Sequence, residues 1–171
     1  MKPSLSKIWA AFPDHGRYPT LRNLYTMLGG QVAKNVTSFG PNGNTCASRM
    51  SVAFNAGGSP IDAKTAAAIG ARTISAADGS VIMFRVEHFR HYLRRTLGRP
   101  TIDNVSPFDS EFRGKRGIIV FSVTWRGATG HIALWNGLTY REPDHDDYSR
   151  FVDPTDPKTK TYRGEFWALA S

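Results

Sequence analysis

Helical periods dominate the first hundred residues of the chain, and strand-like runs crowd into the rest. In Thr20-Leu21-Arg22-Asn23-Leu24-Tyr25-Thr26-Met27-Leu28, the three leucines share one helical face. Thr20 can cap that helix and Gly29-Gly30 can end it. A turn-rich loop follows, Ser38-Phe39-Gly40-Pro41-Asn42-Gly43-Asn44. A second helix begins near Thr45 or Cys46, with Asn44 or Thr45 supplying the N-cap oxygen, and runs to Asn55, where Gly57-Gly58 stops it. Val81 to Phe84 reads as a short strand. Arg85 to Leu97 reads as an amphipathic helix, with Val86, Phe89, Leu93 and Leu97 inward and Gly98 at its end.

The near-continuous apolar run Ile118-Ile119-Val120-Phe121-Ser122-Val123 predicts a central strand covered on both faces. His131 to Trp135 and Leu138 to Glu142 flank Asn136-Gly137, a strong short-range hairpin signal. Gly164 to Leu169 completes the set as a last strand. Helices first and strands late favour an α+β fold with a mostly antiparallel sheet.

The length of 171 residues fits a single domain spanning 1–171, and 40% hydrophobic residues suit a globular core rather than disorder. No apolar run reaches the ~20 residues that cross a bilayer, so no membrane insertion is expected. The start has only a short apolar patch, Ile8 to Phe12, and resembles no secretory signal. The expectation is a protein made in the cytoplasm without a signal peptide. A formal charge of +8 steers it toward polyanions such as nucleic acid, anionic lipid or wall polymers, without choosing among them. The basic residues are spread out, and their densest spot, Arg90 to Arg99, reads as solvated surface charge. One cysteine excludes an internal disulfide and any multi-cysteine metal site.

That cysteine, Cys46, lies in the first turn of its predicted helix. Unpaired backbone N–H groups and the positive end of the helix dipole favour a thiolate there and can hold an oxyanion. Met50 and Phe54 continue an apolar stripe from it, so a plain core thiol is the competing reading. A thiol nucleophile needs a base. His15 sits in a polar turn and is expected to face solvent. His88 and His91 edge the arginine-rich helix, and His145 lies in the acidic stretch Asp144-His145-Asp146-Asp147. His131 differs, because it follows Gly130 and opens a strand at a sheet end that a helix N-terminus can approach.

If Asn136-Gly137 is a two-residue turn, Trp135 pairs with Leu138 and His131 falls opposite Glu142, about 5 Å away at Cβ. A carboxylate there would orient the imidazole. Glu142 is the first choice for this role, and Asp144 takes it if the turn is longer. An ordinary cross-strand surface pair is the alternative.

The segments Asn44-Thr45-Cys46-Ala47-Ser48-Arg49-Met50-Ser51 and Gly130-His131-Ile132-Ala133-Leu134-Trp135-Asn136-Gly137 resemble the two signature segments of the type VI secretion amidase effector 4 family (Tae4). Gly114 to Phe121 and the Arg85-to-Pro100 stretch are also similar to it. The resemblance implies a papain-like fold of the NlpC/P60 type, with a nucleophile-bearing helix packed on a mostly antiparallel sheet. It implies a peptidoglycan amidase that cuts the γ-D-glutamyl–meso-diaminopimelate bond, with Cys46 as nucleophile and His131 as base. The third residue would be an aspartate a short way after the histidine, a spacing that in this chain meets Glu142, with Asp144 just beyond. No metal or organic cofactor is implied. The implied partners are the peptidoglycan stem peptide, the type VI apparatus and a Tai4-like immunity protein. The implied destination is the target-cell periplasm.

Asn44 and Thr45 would line the substrate groove or cap the helix. Trp125, Trp135 and Tyr140 are further lining candidates, the two tryptophans being better suited to core packing. The rival classes are a basic nucleic-acid-binding module, which would need its cations gathered on one face, and a same-fold amidase acting on another γ-glutamyl substrate.

Overall fold

The protein is described from a computed structural model covering residues 2–39, 43–126 and 130–171. Gly40, Pro41 and Asn42 of the expected turn-rich loop lie outside the described residues. The helices are α1 (Leu5–Ala11), α2 (Leu21–Leu28), α3 (Gly30–Lys34), α4 (Cys46–Ala56), α5 (Ala63–Ala68), α6 (Val86–Leu97) and the short α7 (Pro143–Asp146). The strands are β1 (Thr73–Ser75), β2 (Val81–Met83), β3 (Ile102–Asn104), β4 (Gly117–Val123), β5 (Gly130–Trp135) and β6 (Thr161–Ala168).

The three predicted helices form as α2, α4 and α6, although the N-cap residue of α4, Thr45, makes no side-chain cap bond. Thr20 and Asn23 make a reciprocal capping box at the start of α2. Gly29 ends that helix at φ 67°, a left-handed backbone that glycine adopts without strain, but α3 starts at once from Gly30. The strands β1 and β2 form a separate two-stranded antiparallel sheet. The main sheet has the order β3-β6-β4-β5 with every pair antiparallel.

The central strand β4 is buried along its whole length, as its unbroken apolar run predicts. Ile118 and Val120 face α1, α4 and α6 in one core, joined by Ile132, Leu134 and Trp167. Ile119 and Phe121 face a second core with Phe112, Ala133, Trp135, Tyr140 and Phe166. This period of two explains why β4 carries no polar residue until Ser122.

The helix α4 is pinned between these parts by polar contacts at its buried face. Ser48 Oγ pairs with Tyr25 Oη of α2 at 2.7 Å. Ser51 Oγ shares its one hydroxyl hydrogen between the Ala47 and Met83 carbonyls, at 3.0 and 3.1 Å, and accepts from the Met83 N–H at 3.0 Å.

Two expectations are corrected. Leu138 to Glu142 is not a strand. Asn136 Oδ1 accepts from the N–H groups of both Leu138 and Thr139 at 2.9 Å, which opens the turn to four residues and leaves one bridge, Trp135 to Tyr140. Pro143 at the start of α7 then ends the extended backbone. The arginine-rich helix is also less free than solvated charge would be. Arg90 and Arg94 converge from α6 on the fully buried Glu165 of β6, which Arg163 also approaches at 3.9 Å.

Candidate active site

Cys46 and His131 meet where the N-terminus of α4 approaches the first residues of β5. Asn44 makes that junction. Its Oδ1 accepts from the Cys46 N–H at 3.0 Å, and its Nδ2 donates to the Gly130 carbonyl at 3.1 Å. The side chain thus ties the backbone of the thiol to the residue before the imidazole. Gly130 is required by close approach, since a Cβ there would collide with the Phe121 carbonyl across the ladder.

His131 shares the cleft with Cys46, and its Nε2 lies 2.8 Å from Asp146 Oδ1, which leaves Nδ1 for the thiol. Burial works against a charged imidazole, but the adjacent Cys46 and Asp146 outweigh it and push His131 up to about 10. Tyr148 covers the ring with a stacked face at 4.5 Å. Burial and the neighbouring Cys46 and Asp146 raise the Tyr148 phenol above its ordinary value, so it stays neutral. Cys46 and His131 are only 6% and 8% exposed, so they are reached through one cleft. His15, Gly43, Asn44, Thr45, Trp125, His145 and Tyr148 complete its lining.

The carboxylate on His131 is therefore Asp146, and the expected pairings with Glu142 and Asp144 are both corrected. With Trp135 opposite Tyr140, an extended hairpin would bring residue 144 to His131. The chain instead coils into α7 after Glu142, and one helical turn later Asp146 returns to the imidazole. Asp146 Oδ2 accepts from the Glu142 N–H at 3.0 Å, which closes that turn. Glu142 faces away from His131 and binds His15 with both oxygens. Asp144 is exposed and borders a neighbouring groove with Asp14 and Arg141. The Glu-Pro-x-x-Asp pattern was the usable signal, because proline at the first helical position with an acid three residues on marks a helical turn.

Thr45 and Asn44 do line the cleft, and each also has a structural bond. Thr45 Oγ1 accepts from Arg49 Nε at 2.8 Å. Arg49 is 1% exposed and donates its other nitrogens to the carbonyls of Pro13 and Tyr18, both at 2.7 Å. Trp125 is a cleft wall, packed edge-on against Tyr148 at 5.4 Å, whereas Trp135 and Tyr140 belong to the second core. His15, expected to face solvent, is half-buried at the cleft. Arg49 and Tyr148 are further site residues that spacing alone did not indicate. No three His, Cys, Asp or Glu side chains among the described residues converge as a metal site.

A helix bearing a thiol at its N-terminus, packed on an antiparallel sheet bearing an imidazole, is the arrangement of the papain-like amidase fold. The profile of the family described as "Type VI secretion system (T6SS), amidase effector protein 4" (Tae4) matches residues 42–167, and the chain belongs to that family of peptidoglycan amidase effectors. Solved structures are similar over nearly the whole length. The effector Tae4 from Salmonella typhimurium, in complex with the immunity protein Tai4 from Enterobacter cloacae, is 32% identical with a TM-score of 0.80, covering 98% of this chain and 99% of that one. Tae4 in the Tae4–Tai4 complex of Enterobacter cloacae is 30% identical with a TM-score of 0.80, covering 99% of each chain. The Enterobacter cloacae Tae4 structure is 29% identical with a TM-score of 0.77, covering 99% of this chain and 98% of that one. Among curated protein sequences, none matches the chain.

Proposed function

We propose that this amidase cleaves the bond between D-glutamate and meso-diaminopimelate in peptidoglycan stem peptides, with Cys46 as nucleophile, His131 as general base and acid, and Asp146 as the orienting carboxylate. The observation that carries the reading is the meeting of Cys46 and His131 in one cleft, with Asp146 Oδ1 on the imidazole at 2.8 Å. The sulfur attacks the γ-carbonyl of D-glutamate after its proton passes to His131 Nδ1. Free backbone amides in the first turn of α4 stabilise the oxyanion, while the Cys46 N–H is held by Asn44 Oδ1. His131 returns the proton to the departing amine of diaminopimelate, leaving a thioester on Cys46. Water, deprotonated by His131, then hydrolyses the thioester to a free γ-carboxylate and restores the thiol. The chain acts as one catalytic domain, and the step calls on no metal.

Delivery by the type VI apparatus into a rival's periplasm and neutralisation by a Tai4-like immunity protein complete the reading, supported by family membership and by the similar Tae4–Tai4 complexes. The nucleic-acid alternative draws no support from the cation distribution, since Arg90 and Arg94 are committed to Glu165.

The test is digestion of purified Gram-negative sacculi with wild type and with Cys46→Ala, read by muropeptide mass. Loss of the diaminopimelate-containing end with wild type alone is the expected result. Sacculi left unchanged by both would remove the bond assignment.

A further inference from the structure

The loop before α2 reaches into the site, although it is far from Cys46 and His131 in sequence. The His15 N–H donates to Glu142 Oε1 at 2.6 Å, and His15 Nδ1 lies 2.8 Å from Glu142 Oε2. Its ring stacks on His145, the neighbour of Asp146, at 3.9 Å between centroids and 9° between planes. His15 therefore makes three contacts with the turn that leads into Asp146, two to Glu142 and one to His145. The loop itself is held from two directions. Arg49, three residues beyond Cys46 on α4, binds the carbonyls of Pro13 and Tyr18. Arg141, just before Glu142, binds Asp14 Oδ2 at 3.2 Å and the Trp9 carbonyl at 3.1 Å. Burial would raise the Glu142 carboxyl, but the His15 bonds and the nearby Arg49 charge hold it below the usual range, so it remains an ionised acceptor.

We propose that His15 is a positioning residue: it locks the Glu142–Asp146 turn against the nucleophile helix and so sets the hydrogen bond that Asp146 accepts from His131. The proposal rests on the assignment of Asp146 as the orienting carboxylate. The physical reason for a lock is the shortness of α7. Four residues form one turn, too little to hold its own geometry without outside contacts. Asp146 is joined to this clamp through the Glu142 N–H, so a shift of Glu142 displaces the carboxylate that orients the base. His15 also lines the cleft, and contact with substrate is the competing role.

The experiment separates the two roles with His15→Ala, His15→Asn, Glu142→Gln and Asp146→Ala, assayed on soluble stem peptide. Alkylation of Cys46 by iodoacetamide at neutral pH, which needs no substrate, is the second readout. Positioning predicts that His15→Ala lowers kcat about 10–100-fold with KM within about twofold, and slows alkylation comparably. His15→Asn should recover part of both rates, because its amide N–H can still donate to Glu142. The His15→Ala/Glu142→Gln double variant should be little worse than His15→Ala alone, since both break one unit. If His15→Ala does not fold, as read by its circular dichroism melt, His15→Asn and Glu142→Gln carry the same predictions. A raised KM with unchanged kcat and alkylation would overturn the proposal in favour of substrate contact. Unchanged kinetics in His15→Ala beside a crippled Asp146→Ala would overturn it alone. Wild-type activity in Asp146→Ala would overturn the Asp146 assignment and the proposal together.

Discussion

The two halves of the site are held by different means. Cys46 and His131 stand on regular structure: a helix buried along one face by Met50, Ala53 and Phe54, and a strand laddered to β4 over its whole length. Asp146 stands on a single turn whose position is decided by side chains, from His15, Glu142 and Arg141. The first half is over-determined by packing, so its changes are felt mainly as lost chemistry. The second depends on a handful of polar bonds, each of which can be removed singly. The cleft thus combines a thiol and an imidazole on rigid elements with a carboxylate on an adjustable turn.

The comparison is broken most directly at Asp146. Asp146→Ala should lower kcat about 10³-fold while leaving the fold in place, because the imidazole loses the partner that fixes its tautomer. Near-wild-type turnover would mean that β5 alone orients His131. The next largest effect is expected at Arg49, which joins the two halves. Arg49→Met leaves the Pro13 and Tyr18 carbonyls and the Thr45 hydroxyl without their donor and should cost about 3 kcal/mol in denaturant unfolding. A loss below about 1 kcal/mol would show that the loop docks without it.

Asn44→Ala sharpens the other side, removing the bridge from Cys46 to Gly130. About a tenfold fall in kcat is expected, measured beside an unchanged far-ultraviolet spectrum; no fall would leave packing as the sole support of the junction. The smallest effect is on pH. The folded value of His131 near 10 lies above its ordinary 6.5, so its stability contribution is fully present below about pH 6.5 and is lost as pH rises through about 10. The wild-type urea midpoint should fall across that window and the fall should shrink in His131→Ala. Parallel profiles for the two proteins would deny that the buried imidazolium contributes.

The sequence by itself determined the elements and the chemistry they carry. Helical and strand periods are local, so α2, α4, α6, β4 and β6 are legible within a few residues, and a cysteine at a helix start beside a strand-opening histidine is legible with them. Asn136-Gly137 misled because the side chain of Asn136 supports a wider loop as readily as a two-residue turn, and nothing local separates the two. Only the tertiary structure decided which carboxylate meets His131, why Arg49 is buried and why His15 is half-buried at the cleft. Those outcomes depend on contacts spanning 15 to 127 residues of sequence, as between His131 and Asp146 or His15 and Glu142. Period and spacing report what a residue's neighbours along the chain require of it. The partners of a buried charge are chosen by whichever distant groups the packed core brings within hydrogen-bond reach.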